Sequence, residues 1–109
     1  MDHILPLANE IKGEIKYEKR RNKGYIIGFV TPQKPNANLI GILPTGCRPE
    51  KTQEFFADTS KLISYPDEPR GLFKRYINIL PNGSILLEIT NAPIDEGEII
   101  KIDTSYDLQ

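Results

Sequence analysis

An all-β fold, a small antiparallel β-sandwich or flattened barrel of about seven short strands, is predicted by three features of the sequence. Apolar residues recur with a period of two in most stretches, no window of useful length carries a helical period, and the intervening segments are rich in proline, glycine and asparagine. The 109 residues suit a single domain, with 1–10 as an extended lead-in and 11–109 as the core. At this size roughly 60–70% of the unfolded chain's surface can be buried, enough for one modest core.

The elements follow in order. Ile4-Leu5-Pro6-Leu7 is apolar but broken by proline, so it reads as a lead-in that is ordered only if Leu5 and Leu7 find a groove. Between 11 and 17, Ile11, Gly13, Ile15 and Tyr17 alternate with Lys12, Glu14 and Lys16, the pattern of a strand with one wet face. The run 19–24 breaks that alternation, and its Asn22 and Gly24 tolerate positive φ, which predicts a hairpin loop. From Tyr25 to Thr31 both sets of alternating positions are apolar: Tyr25, Ile27 and Phe29 on one face, Ile26 and Val30 on the other. Such a strand needs cover on both sides, from a second sheet or another subunit. Gly28 within it permits close approach by a neighbouring backbone.

After the proline- and asparagine-rich loop 32–38 comes a strand over 39–43, closed by a turn at Pro44-Thr45-Gly46. Arg48-Pro49 starts an extended crossing, and 53–57 reads as a strand. The stretch from Asp58 to Gly71 has only a short apolar centre at Leu62-Ile63 and is predicted to be a surface loop. Strand character resumes at 72–79 and 85–90, separated by Asn82-Gly83, which predicts a hairpin with a type I′ turn because both central residues accept positive φ. A loop over 91–97, a last strand over 98–103 and a tyrosine-bearing tail complete the chain.

Composition narrows the function. Fourteen Lys and Arg are interspersed with fifteen Asp and Glu for a formal net charge of −1, so there is no field to hold a polyanion by counterion release, and nucleic acid is not an expected partner. The start has no basic n-region, and no apolar run approaches the ~18 residues of a span, so neither a signal peptide nor membrane insertion is expected. The single cysteine, Cys47, has no partner for an internal disulfide and no Cys or His companions for zinc. His3 is the only histidine and lies near the N-terminal end, which leaves serine- or cysteine-type nucleophilic catalysis without a base. The acidic groups Asp67-Glu68 and Asp95-Glu96 with Glu98 fall in turn segments, lack the alternating oxygen ligands of a calcium loop, and read as solvated. No metal, no cofactor and no catalytic residue is assigned.

The aromatics offer the remaining chemistry. Tyr25, Tyr76 and Phe73 fall in strands, where core or interface packing is the natural role. Tyr65, in the long segment before Pro66, is placed for presentation, with Asp67, Arg70 and Asn36 as hydrogen-bonding partners for a sugar. These four are the candidate ligand-binding residues.

Taken together, Gly13–Lys19, Asn22–Val30, the run Ile40-Gly41-Ile42-Leu43-Pro44-Thr45-Gly46-Cys47-Arg48-Pro49, the hairpin Tyr76–Ile85 and the closing Ile102–Tyr106 resemble the C-terminal receptor-binding (head) domains of tail-fibre and baseplate proteins of bacteriophages and prophages of Gram-positive hosts. The resemblance covers the chain from about Ile11 onward, and the LP-x-G-x-RP element with the later NG hairpin carries it. The sequence departs from the pattern in having no tryptophan and in placing Cys47 where an aromatic is common. The resemblance implies a homotrimeric, non-catalytic β domain on the phage tail. It would be made in the host cytoplasm, join other phage tail proteins in the virion, and bind a bacterial cell-wall saccharide such as a teichoic acid or wall polysaccharide. The alternatives are a structural trimeric tail or baseplate component that never meets the host, and, more distantly, a glycan depolymerase using the acidic segments.

Overall fold

The computed structural model describes residues 3–65, 68–88 and 93–108. Its strands are β1 (His3–Ile4), β2 (Ile11–Arg20), β3 (Lys23–Pro32), β4 (Leu39–Ile42), β5 (Gln53–Tyr65), β6 (Glu68–Ile79), β7 (Ser84–Leu87) and β8 (Ile100–Asp107). All pair antiparallel in one curled sheet of order β1-β2-β3-β8-β5-β6-β7-β4. The all-β prediction is met, by a single sheet that curls towards a half-barrel.

The period-two alternation sets which face is dry. Ile11 and Ile15 of β2, Ile26 and Val30 of β3, Ile100 and Ile102 of β8, Ile77 and Ile79 of β6, and Ile85 and Leu87 of β7 all point into the curl and form the core. Each such side chain contributes about 1.5–3 kcal/mol on burial. The N-terminal segment closes the curl. The Leu5 N–H donates to the Ile15 carbonyl of β2 at 2.8 Å, and the Ala8 N–H donates to the Ile40 carbonyl of β4, also at 2.8 Å. Residues 5–8 therefore run from one edge of the sheet to the other. Leu5 is buried in the core, with Leu7 packed against it.

The LP-x-G-x-RP element is a second tie. The Leu43 N–H donates to the Gly83 carbonyl in the β6–β7 turn, the Cys47 N–H closes a turn onto the Pro44 carbonyl, and Arg48 Nε returns to the Leu43 carbonyl at 2.9 Å. Pro49 bridges to Leu108, and the Tyr106 hydroxyl donates to the Cys47 carbonyl at 2.6 Å. The element thus links the β4–β7 edge to β8. Gly24 of β3 lies against the Tyr106 ring, which occupies the space a side chain would need.

Several expectations are corrected. The stretch 58–71 is not a surface loop. Its described residues, 58–65 and 68–71, belong to β5 and β6, which pair with each other from Gln53–Ile79 out to Tyr65–Glu68, with two register shifts. Among the described residues β5 pairs with β8 at Asp58 and Thr59 and β6 pairs with β7 at Ile77–Ile79, while the pairs further out join β5 to β6. The stretch carries no sustained apolar alternation to read. The tail at Ser105-Tyr106 is likewise strand, part of β8, with Tyr106 buried.

The 19–24 loop is smaller than expected. Pairing continues to Arg20–Lys23, leaving Arg21 and Asn22 as the turn, with Arg21 at φ 55°. The Asn82-Gly83 hairpin is present but is not type I′, since of these two only Gly83 has positive φ, at 91°. Pro81 fixes a negative φ, the Gly83 N–H bonds the Leu80 carbonyl, and the Leu80 N–H bonds the Ser84 carbonyl. That is a type I turn followed by a glycine bulge. Gly28 behaves as expected: at φ 152° it presses against the Glu14 carbonyl of β2, where a Cβ would collide with backbone.

Candidate functional site

The outer face of the sheet follows from the register. Tyr25, Ile27 and Phe29 of β3 stand exposed in a row. They are flanked on β2 by Glu18, Lys16 and Glu14 and on β8 by Ser105, Asp103 and Lys101. Sequence reading asks for cover on this face, and among the described residues nothing supplies it: Ile27 is 53% exposed and Phe29 49%. Further along the same face Phe56 of β5 packs on Tyr76 of β6 with ring centroids 4.4 Å apart.

Beneath this surface lies a polar knot. Arg75 of β6 and Glu98, both buried, meet at 2.9 Å between Nη2 and Oε1. Thr59 of β5 donates its hydroxyl to Glu98 Oε2 at 2.5 Å, while Arg75 also donates to the Glu88 and Pro93 carbonyls. Each nitrogen and oxygen of the knot is satisfied, as burial demands. The reading of the 95–98 carboxylates as solvated fails for Glu98, which is structural. Asp95 and Glu96 are exposed. Among the described residues no group of three His, Cys, Asp or Glu side chains is placed to hold a metal ion.

Two open clefts mark the described surface. One, of about 440 Å³, lies where β5 leaves β8, between Asp58, Thr59, Ser60, Ile99 and Lys101. Its two hydroxyls are engaged: Thr59 donates to Glu98, and Ser60 Oγ accepts the Ile99 N–H. The other, of about 320 Å³, lies between the turn at Ala8–Glu10 and the segment Asn36–Leu39. Here the backbone is held from several sides. The Ile11 N–H bonds the Ala8 carbonyl, the Gln33 N–H the Glu10 carbonyl, and the Leu87 N–H the Asn38 carbonyl.

The candidate ligand residues are distributed as follows. Asn36 lines the smaller cleft at φ 61°, exchanges backbone and side-chain hydrogen bonds with Ile94, and keeps its amide NH₂ as a donor. Tyr65 is the last residue of β5 and Arg70 lies within β6. Asp67 lies outside the described residues. No described hydrogen bond joins Asn36 to the β5–β6 hairpin. Asn9, Glu10 and Asn38, which stand with Asn36 around the cleft, were not singled out from sequence. The density of asparagine at 36 and 38 was the available signal, but its spatial partner at Asn9 arrives only through the strap across the curl.

No protein-family profile matches the chain, and no curated protein matches it in sequence. A solved structure does match in fold: the head domain of the lactococcal phage bIL170, a receptor-binding domain, at 17% identity over 100% of this chain and 98% of that one, with a TM-score of 0.63. The two share one fold. The phage head-domain architecture expected from the LP-x-G-x-RP element and the NG hairpin is therefore present over the full chain.

Proposed function

We propose that the chain is a receptor-binding head domain of a phage tail, attaching the virion to a saccharide of the host cell wall without catalysis. The observation that carries this reading is the end-to-end match in fold to the receptor-binding head domain of a lactococcal phage. The exposed apolar row Tyr25-Ile27-Phe29 supports a homotrimer, because an uninterrupted apolar strip rimmed by charges is the composition of a subunit interface. A purely structural tail role fits the same interface but gives no use to the clefts. In the adhesion reading the domain sits at the distal end of the tail, joined to other tail proteins.

The test is adhesion of the purified domain to candidate host cells before and after their wall glycans are stripped. Binding that disappears on stripping supports the reading, and binding that is absent or unchanged overturns it. Release of reducing ends from wall polysaccharide would replace adhesion with hydrolysis.

A further inference from the structure

We infer that the cleft between the Ala8–Glu10 turn and residues 36–39 is the saccharide site, and that it takes an uncharged, hydroxyl-rich sugar; this rests on the adhesion reading above. Asn9, Asn36 and Asn38 all line the cleft, and each carries a primary amide. Each amide offers an acceptor oxygen and two donor hydrogens, the complement of a sugar hydroxyl, which both donates and accepts. The side chains of Asn9 and Asn38 are exposed and make no hydrogen bond among the described residues, so their amide capacity is open to solvent. Asn36 spends its oxygen on the Ile94 N–H, which fixes the amide and leaves its NH₂ to donate.

Charge chooses among sugars. The carboxylate in the cleft, Glu10, is matched by Lys34 at 3.4 Å, so that cation is already engaged. A phosphate or carboxylate group would face Glu10 without the Arg or Lys fork that anion recognition uses. Leu39, partly exposed at the rim, offers an aliphatic surface for the C–H face of a pyranose ring. The volume of about 320 Å³ falls at the small end of ligand sites, roughly 300–1,000 Å³, and suits a terminal or branch sugar rather than a long stretch of polymer. Because the lining backbone is tied to β2, β4 and β7, little ordering is lost on binding. The cleft beside Asp58 and Lys101 presents the opposite chemistry, two opposed charges and hydroxyls already in use.

The experiment takes a bacterium to whose wall the domain adheres, separates its neutral and phosphate-bearing polysaccharide fractions, and titrates each into ¹⁵N-labelled protein. The expected result is that the neutral fraction moves the side-chain amide signals of Asn9, Asn36 and Asn38. The double variant N9A/N38A is expected to fold as the parent does and to lose affinity by about tenfold or more, as two hydrogen bonds of ~1 kcal/mol each imply. The variant D58A/K101A at the other cleft is expected to bind unchanged. Full affinity in N9A/N38A, loss in D58A/K101A, or amide shifts caused only by the phosphate-bearing fraction would each overturn the assignment while leaving adhesion standing. Adhesion to no wall at all would instead remove the reading on which it rests.

Discussion

Arg75 Nη2 and Glu98 Oε1 stand 2.9 Å apart with both side chains closed to solvent, so that a single ion pair ties β6 to the residues that lead into β8. The Asp95 N–H also donates to Glu98 Oε1 at 3.3 Å, and the Arg75 guanidinium holds the Glu88 and Pro93 carbonyls. Removing one partner leaves a bare buried charge. Arg75→Met is therefore expected to cost about 3–5 kcal/mol, and R75M/E98L less than the single change. Urea denaturation of the three proteins checks this; a double variant as unstable as R75M would show that the pair contributes more than mutual compensation.

The Tyr106 phenol is pushed well above its ordinary value, first by burial and then by the neighbouring Cys47. Since the folded state holds this proton more tightly than the unfolded state, whose tyrosine titrates near 10, the stability gained is fully present below about pH 10 and declines as pH rises above it. Tyr106→Phe removes that dependence. It also loses the bond to the Cys47 carbonyl, at about 1 kcal/mol. Stability measured against pH is expected to fall less steeply above pH ~10 in Y106F than in the parent; parallel slopes would count against a buried neutral phenol.

Leu5 fills the space beneath the strap that crosses from β2 to β4. Leu5→Ala is expected to destabilise by about 2–5 kcal/mol. The amide protons of the strap at Leu5 and Ala8 would exchange much faster. If hydrogen exchange shows those amides unaffected, the strap is held by its backbone bonds alone.

The Tyr25-Ile27-Phe29 row carries the proposed trimer. Ile27, exposed in the single chain, is a site where Asp costs the fold little but places a charge in the interface. Light scattering of I27D is expected to give a monomer mass where the parent gives three chains. A monomeric parent at micromolar concentration would leave the row without this role.

Much of the sheet is legible in the order of side chains. The alternation in 11–17, 25–31, 74–79 and 85–87 is the same alternation that separates dry from wet faces in β2, β3, β6 and β7. The outer part of the β5–β6 hairpin was not legible, because its strand pairing is a matter of backbone register and the side chains of 58–71 carry no sustained period of two. Glu98 was misread for a related reason. Its neighbours Asp95 and Glu96 are exposed, and the approach of Arg75 from a strand 23 positions away, with the Thr59 hydroxyl, makes burial of this one carboxylate tolerable.

The candidate site divides the same way. The sequence by itself determined that the chain is all-β and that one strand has apolar residues on both faces, since each of these is a property of residue type and spacing. Only the tertiary structure decided which polar residues stand together. Asn9 and Asn38 are 29 positions apart, and they share a cleft because Leu5–Ala8 crosses the open curl and pairs with β4. The physical reason is that a strap of backbone hydrogen bonds leaves no periodic mark in the sequence, whereas burial of a strand face does.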